Sequence, residues 1–124
     1  MEEARIVLRK ENANVIYGVV RLIEKDSESF LPWAKDRYAC VVFNLHVTHD
    51  AQGVENAARS FRALIDLAIK HNGNYYLTYH RFATREQVER CYPQFQQFLA
   101  LKREYDPAEV FQSNWYRHYR EMFA

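Results

Sequence analysis

Apolar residues along the chain recur at two spacings, every second position or every third and fourth, which separate strands from helices. Ala4, Val7 and Leu8 fall on one side of a helix over Met1 to Asn12. From Asn14 the composition turns β-branched, and VIYGVVRLI predicts a strand over Val15 to Ile23. Lys25 to Arg37 carries turn residues and Pro32, so it reads as a long connection anchored by Phe30, Leu31 and Trp33. A second strand is expected from Tyr38 to about Thr48. Its alternation directs Val41, Phe43, Leu45 and Val47 toward a core and leaves Val42, Asn44, His46 and Thr48 on a hydrogen-bonding face.

After Asp50 the spacing becomes helical: Val54, Ala57, Ala58, Phe61, Leu64, Ile65 and Ala68 form one stripe that runs to about His71. Asn72 and Gly73 stop this helix, with the glycine suited to a left-handed cap. NYYLTYHRF then predicts a third strand from Tyr75 to Phe82, with Tyr75, Leu77 and Tyr79 on one face and Tyr76, Thr78 and His80 on the other. Thr84 and Gln87 have capping-box spacing at the start of a short helix. Pro93 opens the next helix, on which Phe95, Phe98, Leu99 and Tyr105 share a stripe. That helix ends before Asp106, where Asp106 and Glu109 have the spacing of a second capping box around Pro107. Ser113 caps a terminal helix bearing Trp115, Tyr119, Met122 and Phe123.

This order predicts an α+β fold in one domain, residues 1–124: an antiparallel sheet with helices on one face and a helical C-terminal extension. The other face of the sheet is unusually polar. Arg21, sharing a face with Tyr17 and Val19, would join Asn44, His46, Thr78 and His80, and such a face is either solvated or a ligand surface.

Hydrophobic residues make up 48% and aromatics 15% of the sequence, a composition that excludes disorder. A net charge of +1 without a basic cluster argues against a nucleic-acid partner. No apolar run approaches the roughly 20 residues a membrane span needs, and the N-terminus lacks a signal-peptide core, so a cytoplasmic location is expected. Cys40 and Cys91 are too far apart for a zinc motif and read as two unpaired thiols. His46 and His49 would turn to opposite faces of a strand, so no metal site is expected.

KREYDPAEVFQS, Lys102 to Ser113, resembles the C-terminal signature of FAD-linked oxidases of the vanillyl-alcohol oxidase superfamily. YPQFQQFLALK, Tyr92 to Lys102, resembles the same region of the sugar-lactone and alditol oxidase branch. The resemblance extends from Asn14 onward. It implies a ferredoxin-like cap arrangement that lies over FAD held by a separate FAD-binding domain and encloses a small-molecule substrate. The implied chemistry is hydride removal from a CH-OH group of a sugar-lactone or polyol-like compound. That branch carries Glu-x-Arg on a cap strand; Val19 to Arg21 keeps the arginine with valine at the glutamate position. Tyr79 to Thr84, YHRFAT, is similar to a His-Trp-Gly-Lys motif near the flavin, with His80 or Arg81 at the histidine position.

The resemblance, laid on the polar sheet face, points to Arg21 and His80 as catalytic residues and to Arg81 as a cofactor contact, and the same face supplies Asn44, His46 and Thr78 as substrate-binding residues. Gly18, Gly53 and Gly73 stand singly, without a phosphate-binding glycine cluster. The chain is accordingly expected to be the C-terminal part of a larger oxidase, inactive without the FAD-binding domain. The alternative reading is a stand-alone α+β interaction module forming a homodimer through its sheet, with Tyr17 and Tyr76 as anchors.

Overall fold

Helix α1, Glu2–Lys10, opens the computed structural model, which describes residues 1–124. Glu2 and Glu3 stand in its first turn and Arg9 and Lys10 in its last, matching the helix dipole at both ends. Asn12 takes a left-handed conformation, and the Ala13 amide closes the helix on the Leu8 carbonyl at 2.9 Å. Strands β1, Val15–Ile23, and β2, Tyr38–Leu45, then form a two-stranded antiparallel sheet.

Helix α2, Ala51–Lys70, starts where the Asp50 carboxylate accepts the Gly53 amide at 2.6 Å. Asn72, not Gly73, occupies the left-handed position that ends it, since no glycine in the chain has positive φ. Gly73 is constrained by space instead: a Cβ there would sit 3.1 Å from the Ala68 carbonyl oxygen, which accepts the Gly73 amide at 2.7 Å. Lys70 and His71 both meet Glu3, tying α2 to α1.

The predicted third strand does not form. Residues 74–83 instead make a turn-rich strap against the helices, and side chains, not a neighbouring strand, bond several of its carbonyls. The Leu77 carbonyl accepts the Trp115 indole N–H at 2.9 Å, and the Tyr75 carbonyl accepts the Tyr92 hydroxyl. Strand β2 also stops three residues before its expected end, so His46 and Thr48 lie off the sheet.

Helices α3, Arg85–Cys91, α4, Phe95–Tyr105, and α5, Asn114–Met122, complete an α+β arrangement with a helical C-terminal part. The Thr84–Gln87 capping box is present in both directions. Ser113 caps α5 through the Tyr116 amide at 3.0 Å. The second capping box, at Asp106 and Glu109, is not made. The buried Asp106 carboxylate accepts the amides of Val110 at 2.8 Å and Phe111 at 3.0 Å and pairs with Lys102. Glu109, in a left-handed conformation, turns away to accept the Tyr116 hydroxyl at 2.6 Å and to pair with Arg120.

These contacts explain the break in the last helical stretch. Between α4 and α5 the chain must reverse so that Trp115 and Tyr119 reach Phe95, with ring centroids 5.7 and 5.0 Å away. The core consists of Ile65, the strap residues Leu77 and Ala83, Tyr92 between α3 and α4, and residues of α3 to α5, including Val88, Phe95, Leu99, Tyr116 and Tyr119. No residue of β1 or β2 is fully buried, so Val41, Phe43 and Leu45 are half-buried instead of entering that core. No helix is long and apolar enough to cross a membrane.

Candidate functional site

The register of the sheet places Arg21 opposite Cys40, Val19 opposite Val42 and Tyr17 opposite Asn44. Opposed residues of an antiparallel pair share a face, so Tyr17, Val19, Arg21, Val42 and Asn44 form one surface. The Asn44 side-chain amide donates to the Tyr17 hydroxyl at 3.2 Å, which holds the carboxamide at that surface. On the same face the Tyr38 hydroxyl donates to the Asn72 carbonyl at 2.8 Å, so the surface looks toward the C-terminal end of α2.

Between them lies a groove of about 950 Å³. Arg21 of β1 and the whole of β2 line one wall; Phe61, Leu64 and Ala68 of α2 line another, and the strap from Gly73 to His80 closes the end. Trp33, Tyr76 and Tyr79 make an aromatic ladder there, with edge-on contacts of 4.9 and 4.7 Å between successive rings. Glu24, an acidic neighbour available to Arg21 in sequence, pairs with Arg37 at 3.0 Å instead. The Arg21 guanidinium keeps its donors free.

His80 is packed among Phe61, Phe82 and Tyr75, at 4.2, 5.3 and 6.3 Å between ring centroids. Burial among these rings lowers its pKa to about 4, so the imidazole is neutral near pH 7. Its Nδ1 is buried without a hydrogen-bond partner, as is Oδ1 of Asn74, another groove residue. Leaving such atoms unpaired costs about 1–3 kcal/mol each, so they mark where a ligand's polar groups would be favoured. Tyr75, also lining the groove, has its phenol pushed up by burial and by the neighbouring Tyr119.

The structure thus brings Arg21, Asn44 and His80 to one groove. It does not bring the other candidates there. His46 lines a separate cleft of about 210 Å³ with Asn12, Asn14 and Asn56, because β2 has ended before it. Thr78 is exposed in the strap and does not line the groove. Arg81 donates to the Asn114 carbonyl at 2.9 Å, bracing the start of α5. Sequence reasoning missed the aromatic ladder and Tyr38. The dense aromatics of NYYLTY and the Trp33 that follows Pro32 were the available signal.

The family model for D-arabinono-1,4-lactone oxidase matches residues 1–119. The chain therefore belongs to that family, in agreement with the sugar-lactone oxidase-like region its sequence resembles. No curated protein and no solved structure matches it.

Proposed function

We propose that this member of the D-arabinono-1,4-lactone oxidase family is the substrate-enclosing cap of an FAD-dependent oxidase acting on a CH-OH group of a lactone or polyol-like substrate. The observation that carries the reading is the groove itself, with the free Arg21 guanidinium and the Tyr17-held Asn44 carboxamide on the sheet wall and an unpaired nitrogen of a neutral imidazole on the strap wall. Arg21 orients and polarises a substrate oxygen through charge-assisted hydrogen bonds. Asn44, steadied by Tyr17, bonds a second hydroxyl. His80, held neutral by burial, is suited to hydrogen-bond the reacting hydroxyl through its unpaired Nδ1. The aromatic ladder of Trp33, Tyr76 and Tyr79 offers an apolar surface for the substrate's C–H face.

FAD, when bound, supplies the hydride acceptor. The residues here fit the substrate side of such a ring system and not the cofactor's phosphates. No glycine has positive φ, and the N-terminus of α2 is closed by the Asp50 carboxylate, which repels an anion. We assign the phosphates to an FAD-binding domain outside these residues and expect the chain alone to be inactive. The unpaired Cys40 and Cys91 fit a reducing compartment such as the cytoplasm.

The test is a nuclear magnetic resonance titration of the labelled chain. D-arabinono-1,4-lactone is expected to shift the signals of Arg21, Asn44 and His80, while FAD alone fails to bind stoichiometrically. Lactone shifts confined to other surfaces would overturn the site, and tight FAD binding would overturn the division of labour.

A further inference from the structure

Strand β1 is exposed along its whole length except for Ile23, which is partly covered. Ile16 is 58% and Leu22 87% exposed, and Val15, Tyr17, Val19 and Val20 are open as well. Its only hydrogen-bonded neighbour is β2, so the opposite edge presents unpaired backbone groups. Exposed edges are normally protected by lysine, proline or a central bulge. VIYGVVRLI has no lysine or proline, and its one irregularity lies at the end, between Val15 and Tyr17. A two-stranded sheet is in addition only marginally stable by itself.

We propose that a second copy of this chain covers that edge, two β1 strands joining antiparallel about a two-fold axis at Val19 to give a four-stranded sheet. Val19 is the central residue of Val15–Ile23, so this register pairs the whole strand with itself. It sets Tyr17 opposite Arg21 of the second copy, a favourable aromatic–cation pair made twice, and Ile16 opposite Leu22. The strand's single charge never meets its own image, as it would with the axis at Arg21. A net charge of +1 gives two copies little reason to repel. Tyr17 and Arg21 also stand on the groove face, so the dimer is read by sedimentation and crosslinking, apart from lactone binding.

The purified chain is expected to sediment as a dimer at twice 14.9 kDa at about 100 μM. Val19→Lys places two ammonium groups against each other at the axis and is expected to weaken the dimer at least about tenfold, with helical circular dichroism unchanged. In a Cys40→Ser background, Val19→Cys is expected to oxidise to a covalent dimer, whereas Leu22→Cys, opposite Ile16, remains largely uncrosslinked. A monomer at that concentration overturns the proposal and leaves the edge to a strand of another polypeptide. So does a dimer that tolerates Val19→Lys, or equal crosslinking at both positions.

Discussion

The imidazole of His80 lies 4.2 Å from the ring of Phe61, centroid to centroid, in surroundings that disfavour its charged form. In the folded chain it takes a proton only near pH 4, against 6.5 for an unperturbed histidine. Above pH 6.5 both folded and unfolded forms are neutral, and this contribution is fully present. As pH falls from 6.5 toward 4, the unfolded chain protonates first and stability is lost, at up to about 1.4 kcal/mol per pH unit. His118, lowered chiefly by burial, adds with the same sign. Urea unfolding across that window is expected to show a shallower slope in His80→Phe; an unchanged slope would refute the assignment.

Asp106 has its pKa lowered, first by the Lys102 hydrogen bond and also by the amides of Val110 and Phe111. Its contribution is present above the ordinary carboxylate value of 3.8 and is lost as pH drops below it, a window distinct from that of His80. Asp106→Asn keeps an acceptor for the turn but loses the ion pair, whereas Asp106→Ala loses both. Thermal unfolding is expected to rank wild type above Asp106→Asn and that above Asp106→Ala.

Phe95 is wholly buried between Tyr119, Trp115 and Phe123. Phe95→Ala is expected to cost about 3–5 kcal/mol in denaturant unfolding. Leu22→Ala on the open strand is expected to cost no more than about 0.5 kcal/mol. Equal costs would contradict a core confined to the helices and strap.

Gly53 sits inside α2, where alanine would ordinarily favour the helix by about 1 kcal/mol. Here a Cβ would collide with the carbonyl and hydroxyl of Thr48. Gly53→Ala is therefore expected to destabilise the chain by about 1–3 kcal/mol in the same assay. A stabilising result would show that the chain before α2 moves aside.

Arg21→Ala removes an exposed side chain with no ion pair, so the melting temperature is expected to stay close to that of the wild type. Lactone binding to the groove is expected to weaken about 10- to 100-fold, the worth of a charge-assisted hydrogen bond. Unaltered binding would remove Arg21 from the site.

The helices were legible in the sequence because their signals are local. Asp50, Thr84 and Ser113 each cap the helix that follows through amides three residues along. Strand β1 was legible to the residue, since β-branched composition persists until Glu24. The segment from Tyr75 to Phe82 was not. Its alternation is real and buries Leu77, but a strand also needs a neighbour whose backbone is free, and here the Trp115 and Tyr92 side chains occupy the Leu77 and Tyr75 carbonyls. His46 was grouped with Asn44 on alternation alone, and the end of β2 at Leu45 separates them.

By itself, the sequence determined where helices begin and end, the extent of β1, and the resemblance that led to the family. Those depend on residues within a few positions of one another. Tertiary structure alone decided that the core would form among α2, the strap and the C-terminal helices, leaving the sheet as the wall of an open groove. The reason is physical: Tyr92 and the aromatic side chains of α4 and α5 reach one another and the strap across distant stretches of chain, and the buried cluster forms there without a residue of the sheet.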